Sequence, residues 1–214
     1  EEIMEIRFEE RKQLKEKPDQ KHLGFGKYMT DYMFIMDWDK DQGWHDARIV
    51  PQGPIELDPA CVTLHYAQET FEGLKAYRTA EGKIQLFRPE MNARRMINSN
   101  ARLCMPAFPE DMFVEAVRAL VKQEADWVPS EPDTSLYIRP FMFATEAALG
   151  VHMASSYKFM IICCPVGAYY ATGLDPVKIL VEDELVRAVK GGTGFTKCGG
   201  NYAGSILGQV KAEK

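Results

Sequence analysis

A lysine lies inside an unusually glycine-rich stretch of the sequence. Residues 190–209 read KGGTGFTKCGGNYAGSILGQ, with glycines on both sides of Lys197. Glycine lets the backbone approach a ligand closely, and a lysine amine in such a loop can form a Schiff base with a carbonyl compound. The stretch fits neither a phosphate-binding P-loop, because Cys198 follows the lysine, nor a GxGxxG motif, because Lys197 stands where the third glycine is required. By itself the pattern is more typical of a solvated loop lysine.

A second candidate for chemistry is an arginine among aromatic residues in the segment LYIRPFMF (Leu136–Phe143). In a β-strand, alternation places Tyr137, Arg139, Phe141 and Phe143 on one face. A guanidinium among rings is costly unless it meets an anion or a hydrogen-bond network. The face is therefore predicted to bind a small ligand with a carboxylate at one end and an apolar group at the other. An edge strand whose arginine reaches out to solvent is the alternative.

Other polar residues give weaker indications. Arg94 and Arg95 adjoin on a predicted helix, where arginines can bind phosphate through paired N–H groups or simply face water. The carboxylates are too scattered to nominate an acid–base pair. No metal site is predicted, because the four histidines lack a spacing such as HExxH; they are His22, His45, His65 and His152.

Composition places the chain among globular proteins and argues against two kinds of partner. Of its 214 residues 46% are hydrophobic, and the net charge is −5 at pH 7. A nucleic-acid-binding protein would need concentrated positive charge, and a membrane span would need an apolar run of roughly 20 residues. Neither is present. An odd number of cysteines without CxxC spacing predicts free thiols and a reducing compartment, and hence a cytoplasmic location; the cysteines are Cys61, Cys104, Cys163, Cys164 and Cys198.

The elements that would position these residues form a mixed pattern. Runs of apolar, aromatic and β-branched residues between glycine-containing turns predict strands at 28–39, 47–51, 73–77, 83–88, 136–145, 158–169 and 177–181. Apolar residues at helical spacing predict helices after Pro89, over Glu110–Trp127 and from about Asn201 onward. The charged first 22 residues are predicted to be a solvated arm or a mixed-charge strand.

This order of elements predicts an α+β fold in two domains. The break at Gly173, Asp175 and Pro176 favours a linker over residues 171–176. The expected boundaries are 1–170 for the first domain and 177–214 for the beginning of a second one.

Several segments, taken together, resemble the branched-chain amino acid aminotransferases, which are pyridoxal phosphate enzymes of fold type IV. The segments are GFGKYMTDYMF (Gly24–Phe34), LHYAQETFEGLKAY (Leu64–Tyr77), LFRPEMNARRM (Leu86–Met96), LYIRPFMF (Leu136–Phe143), ALGV (Ala148–Val151), CPVGAYY (Cys164–Tyr170) and VRAVKGGTGFTKCGGNYAGS (Val186–Ser205). They occur in the family's order over nearly the whole chain, so the resemblance is specific. It implies a complete small N-terminal domain and only the start of the large cofactor-binding domain.

The resemblance implies roles for individual residues. Lys197 corresponds to the lysine that holds pyridoxal 5'-phosphate as a Schiff base and moves the proton during catalysis. Tyr202 corresponds to the tyrosine that hydrogen-bonds the cofactor's phenolic oxygen, Arg95 to the phosphate-binding arginine, and Arg187 to a further arginine of the cofactor pocket. The implied substrate-binding residues are Tyr66, Phe71, Tyr137, Arg139, Leu149 and Val151. The last two are expected to enter the site of the partner subunit in a homodimer.

The activity implied is transfer of the amino group of L-leucine, L-isoleucine or L-valine to 2-oxoglutarate by a ping-pong Schiff-base mechanism. The expected partners are amino acids, 2-oxo acids and a second copy of the chain, with no nucleic acid and no membrane. The alternatives are a D-amino acid aminotransferase or an aminodeoxychorismate lyase of the same fold, and an inactive dimerising fragment. The last is considered because the family's large domain continues well beyond the length given, so a truncated enzyme is expected.

Overall fold

The computed structural model describes residues 4–168 and 175–213, and its centre is an eight-stranded sheet. The strands are β1 (Arg7–Phe8), β2 (Tyr32–Asp39), β3 (Gly43–Pro51), β4 (Glu69–Phe71), β5 (Leu74–Arg78), β6 (Ile84–Leu86), β7 (Ser135–Ala144) and β8 (Ser156–Val166). Their order is β1-β3-β2-β8-β7-β5-β6, and β4 also pairs with β7. All pairings are antiparallel except that of β1 with β3.

Strand β7 organises the sheet around the predicted arginine. It pairs along its full length with β8, from Ser135 opposite Val166 to Ala144 opposite Tyr157. Its other edge is shared by two short strands, with β4 opposite residues 141–143 and β5 opposite residues 136–138. Strands β4 and β5 therefore follow one another along the same edge of β7 in one register, and they are interrupted only at Glu72 and Gly73 of the FEG motif.

Two helices cover one face of the sheet. They are α2 (Pro89–Arg102), which begins at a proline as helices commonly do, and α3 (Glu110–Gln123). The helical stripe predicted for α3 is confirmed, because Phe113, Ala116, Val117, Leu120 and Val121 are all buried. Aromatic rings join this helical layer to the sheet: Phe108, in the loop before α3, stacks on Phe159 at 3.7 Å, and Phe113 of α3 lies 5.9 Å from Phe159.

The covered face also contains a buried carboxylate. Glu124, directly after α3, is 1% exposed and accepts the backbone N–H of Tyr32 at 2.5 Å. Burial raises its pKa to about 7, although hydrogen bonds from Tyr32 and Thr30 act in the opposite direction. Nearby, the Lys15 ammonium donates to the carbonyls of Met29 and Thr30, so the charged N-terminal segment is tied to the sheet.

Most of the predicted elements are confirmed, and the differences have physical causes. The predicted long helix 110–127 ends at Gln123 and continues as a short 3-10 helix, Ala125–Trp127. The final helix is divided into α4 (Gly199–Ala203) and α5 (Ile206–Ala212) by Gly204 and Ser205. Three short elements were not predicted: the 3-10 helix Gln20–His22, α1 (Val62–Tyr66) and β4.

The prediction of a strand over 177–181 is wrong. This segment has no regular structure and pairs with no strand among the described residues. Ile179 is 82% exposed and Val181 84% exposed, although both have high β-propensity. A strand needs a neighbour for its N–H and C=O groups, and propensity cannot replace that neighbour.

The linker proposed at 171–176 lies for the most part outside the described residues, because 169–174 are not among them. The division into 1–170 and 177–214 therefore stays a prediction.

Candidate active site

The face of the sheet opposite helices α2 and α3 carries the predicted arginine. Strand alternation places Ile138 and Met142 in the core beneath the helices, whereas Tyr137, Arg139 and Phe141 are partly exposed on the other side. The predicted sharing of one face is confirmed. Phe143, on the same face, packs at 5.7 Å against Phe141. We call this side of the sheet the open face.

Arg139 is held among aromatic groups on the open face. Its Nη2 donates to the hydroxyl of Tyr137 at 2.8 Å, and its guanidinium lies 4.6 Å from the ring of Phe71. Its Nε is buried and has no hydrogen-bond partner among the described residues. A buried charged donor without a partner is costly, and a bound anion would satisfy it. The arrangement favours a ligand with a carboxylate over an arginine that merely reaches solvent.

Lys197 meets the same group of rings. Its Nζ donates to the Tyr202 hydroxyl at 2.9 Å and lies 4.3 Å from the centre of the Phe71 ring. The rings of Phe71 and Tyr202 are themselves 4.9 Å apart. Lys197 and Arg139 therefore both contact the ring of Phe71. This ring joins two candidate residues that are 58 positions apart in the sequence.

The two further predicted arginines lie beside this cluster. Nε and Nη2 of Arg95 donate to the buried carboxylate of Glu72 at 2.6 and 2.7 Å, a pairing that raises the pKa of Arg95. Its charge also interacts with the phenol groups of Tyr202 and Tyr137. Arg187 lies 5.7 Å from the ring of Tyr202. The side chain of Arg95 is 53% exposed, so its remaining N–H groups are free to meet an anion.

The remaining predicted substrate residues form a separate cluster. The hydroxyl of Tyr66 accepts the N–H of Gly150 at 3.0 Å, between Leu149 and Val151. Leu149 is 70% exposed and Val151 86% exposed. Among the described contacts none joins these residues to Lys197. The structure thus brings together Phe71, Tyr137, Arg139, Lys197 and Tyr202, but places Tyr66 with the exposed loop.

Some residues of the site were not identified from the sequence. Glu72 positions Arg95, and the buried Asn201 ties the glycine-rich loop by donating to the carbonyls of Thr193 and Thr196, both at 2.7 Å. Both lie inside motifs that were recognised, FEG and GGNY, but which partner a side chain bonds, 23 residues away for Glu72 and 5 to 8 for Asn201, has no signal in one sequence. Among the described residues there is no cluster of metal-ligating side chains, and none of the helices is long and apolar enough to cross a membrane.

Comparison with solved structures defines the class of this fold. The T.th. branched-chain amino acid aminotransferase, solved with pyridoxamine 5'-phosphate, matches with a TM-score of 0.65 at 27% identity, over 82% of this chain and 55% of that one. The same protein complexed with N-(5'-phosphopyridoxyl)-L-glutamate matches with a TM-score of 0.61. The fold is the mixed α/β architecture of the fold-type IV aminotransferases. A scan against protein-family profiles found no match.

The sequence relatives are more specific. The branched-chain-amino-acid transaminase 1 of Bacillus subtilis is 55% identical over 94% of this chain and 56% of its own length. A probable branched-chain-amino-acid aminotransferase of Staphylococcus epidermidis is 55% identical over 98% of this chain and 58% of its own length. The resemblance to the branched-chain aminotransferases is therefore confirmed. The chain is homologous to them along nearly all of its length and spans somewhat more than half of theirs.

Proposed function

We propose that the protein carrying this chain is a pyridoxal phosphate-dependent aminotransferase that moves the amino group of L-leucine, L-isoleucine or L-valine to 2-oxoglutarate. The observation that carries the proposal is that three side chains, those of Lys197, Tyr202 and Arg139, converge around the ring of Phe71. The Lys197 amine and the partly buried Arg139 guanidinium contact this same ring. The homologues named for this activity support it.

The residues present fit the cofactor. Lys197 would attach it covalently, Tyr202 would face its phenolic oxygen, and the outward N–H groups of Arg95 would meet its phosphate, with Arg187 as a second cation. When bound, pyridoxal phosphate supplies an electron sink for negative charge at the α-carbon of the amino acid. The unpartnered Nε of Arg139 is the sign on this chain that an anionic group belongs at the site.

The remaining contributions come from the chain itself. The hydrogen bond between the Lys197 amine and the Tyr202 hydroxyl orients the amine and gives it a partner for proton exchange. Arg139 and the Tyr137 hydroxyl would bind a carboxylate, while the rings of Phe71 and Tyr137 would contact an apolar side chain. One pocket with rings, hydroxyls and a cation can hold in turn a branched side chain and the second carboxylate of glutamate.

Homodimerisation is part of the proposal. The exposed apolar residues Leu149 and Val151 are suited to contact a second copy of the chain, and the hydrogen bond from Gly150 to Tyr66 fixes the loop that carries them. The cytoplasmic location stays a prediction, supported by the free state of the five cysteines. Light scattering of the active protein would test the dimer, and a monomer would contradict it.

The test of the proposed function uses the purified full-length protein. Pyridoxal phosphate is added, trapped with borohydride and located by peptide mapping, and amino transfer to 2-oxoglutarate is then assayed. We expect the label on Lys197 and activity with L-leucine. Label on Lys197 with activity on D-alanine but not L-leucine would overturn the substrate assignment, and absence of label from a folded protein would overturn the cofactor assignment.

A further inference from the structure

Lys197 lies in an irregular part of the chain, and its backbone is nevertheless fully bonded. Its N–H donates at 3.0 Å to the hydroxyl of Ser99, which lies on helix α2 and is 1% exposed. Its C=O accepts at 3.0 Å the N–H of Phe71 on strand β4. One bond is made by the N–H of the lysine and the other by its C=O. Together they tie the lysine to two elements that precede it by about a hundred residues.

A third bond follows two residues later. The carboxylate of Glu69, on β4, accepts the N–H of Gly199, the first residue of helix α4. A Cβ at position 199 would meet that carboxylate where it now lies, so a larger residue there would have to displace the end of the Glu69 side chain. Burial raises the pKa of Glu69, whereas the bond from Gly199 and the charge of Arg139 counter the rise.

Strand β4 is itself fixed relative to the arginine. Its residues 69–71 pair in register with 143–141 of β7, the strand that carries Arg139. A loop tied to β4 is therefore held at a constant position relative to the candidate carboxylate-binding group. Two side chains thus accept backbone N–H groups of this loop. Ser99 accepts that of Lys197, the reactive residue, and Glu69 accepts that of Gly199, two residues further on.

We propose that Ser99 and Glu69 are positioning residues that hold the Lys197 amine in its reactive place against Phe71 and Tyr202. The effect on catalysis rests on the proposed function, whereas the effect on the position of the Lys197 loop does not. Neither side chain has a described bond to the Lys197 Nζ, so each acts through the backbone. A reactive amine displaced by about 1 Å from its productive geometry can lose roughly a hundredfold in rate.

The first test does not involve the cofactor. Hydrogen–deuterium exchange of the peptide containing residues 190–202 is measured on the full-length protein without pyridoxal phosphate, for wild type, Glu69→Ala, Ser99→Ala and Thr70→Val. Thr70 is the matched control, because it is buried on the same strand and its hydroxyl bonds Asn100 at 2.6 Å on the covered face. We expect faster exchange of Lys197 and Gly199 in the first two variants only.

The second test measures the reactivity of the lysine. Borohydride trapping of pyridoxal phosphate on Lys197 is timed at limiting cofactor. Glu69→Ala is expected to slow it by roughly tenfold, and Glu69→Gln, which keeps a carbonyl acceptor, to restore it to within about twofold. The Ser99→Ala variant should show a smaller loss. Thermal unfolding identifies any variant that has simply lost its fold, and if Glu69→Ala has done so, the exchange and trapping of Ser99→Ala decide the test.

The outcomes separate this inference from the proposed function. Wild-type exchange in the Glu69→Ala and Ser99→Ala variants would overturn the positioning role, as would a failure of Glu69→Gln to rescue trapping. If wild-type protein itself traps no cofactor, the proposed function fails, and the exchange experiment still decides whether the two side chains hold the lysine segment.

Discussion

The two faces of the sheet are built on opposite principles. Beneath α2 and α3, apolar side chains from both helices fill the space over β2, β7 and β8, and residues such as Phe113 and Phe159 are fully buried. On the open face, rings of similar size surround two cations, Arg139 and Lys197, and one of the guanidinium nitrogens lacks a partner among the described residues. The first face stabilises the fold. The second retains a buried guanidinium nitrogen among aromatic rings that an anionic ligand can use, as expected of a functional site.

The largest effect expected on the open face is chemical. Lys197→Ala removes the amine that would carry the cofactor, so the rate of amino transfer should fall by at least roughly a thousandfold, while the free energy of unfolding changes by less than about 1 kcal/mol. Steady-state kinetics and urea unfolding measure the two quantities. Activity within tenfold of wild type would remove Lys197 from the proposed mechanism.

A pair of identical substitutions contrasts the two faces directly. Phe113→Ala leaves a cavity under α3 and should cost about 3–5 kcal/mol of stability. Phe71→Ala, at a partly exposed ring, should cost clearly less but should weaken binding of pyridoxal phosphate, since this ring contacts both Lys197 and Arg139. Chemical denaturation and cofactor titration give the comparison. Equal stability losses would show that the open face is packed as the core is.

The covered face is expected to respond to pH through Glu124. Its pKa is raised from 4.5 to about 7, so the unfolded chain releases this proton at a lower pH than the folded protein does. Stability from this group therefore falls as pH rises from about 4.5 to 7 and is constant above that. Glu124→Gln should remove this slope and make the variant the more stable of the two at pH 8, by about 1–2 kcal/mol.

Urea unfolding of both proteins at pH 5, 6, 7 and 8 measures this dependence. The amide keeps an acceptor for the Tyr32 N–H, so a change in the hydrogen bond alone would shift the two curves in parallel. Parallel curves would contradict the raised pKa.

The smallest effect on stability is expected at Arg139. Replacing it by Met keeps most of the apolar contact with Phe71 and removes the unpartnered Nε, so the free energy of unfolding should stay within about 1 kcal/mol of wild type or rise. The KM for 2-oxoglutarate should rise by roughly tenfold or more, since the carboxylate loses its charge-assisted partner. An unchanged KM would place the carboxylate site elsewhere.

The sequence predicted the two faces better than it predicted the contacts across them. Alternation along β7 was sufficient to place Arg139 on one face with Tyr137, Phe141 and Phe143, because strand geometry has a period of two residues. Helical spacing was likewise sufficient for the buried stripe of α3. These features depend on residues that are close together in the chain.

Features that depend on distant residues were missed. The pairing of Glu69 with Gly199 joins segments 130 positions apart, and β4 is too short to give a strand pattern of its own. The strand expected at 177–181 failed for the converse reason, since its local propensity is high but no partner strand lies beside it in the described part of the chain. The roles of Lys197, Tyr202 and the arginines came from resemblance to a family, whereas spacing alone favoured a solvated lysine.

The interruption between β4 and β5 has a consequence for how this sequence can change. A Cβ at Gly73 would overlap the hydroxyl of Tyr137, the same hydroxyl that receives the hydrogen bond from Arg139. An alanine at 73 would displace that oxygen. A phenylalanine at 137 would remove this closest overlap, leaving a ring carbon at 3.0 Å, but would deprive the arginine of its acceptor. Positions 73 and 137 are thus expected to co-vary among homologues. Where residue 137 lacks the tyrosine hydroxyl, residues larger than glycine are expected at position 73 as well.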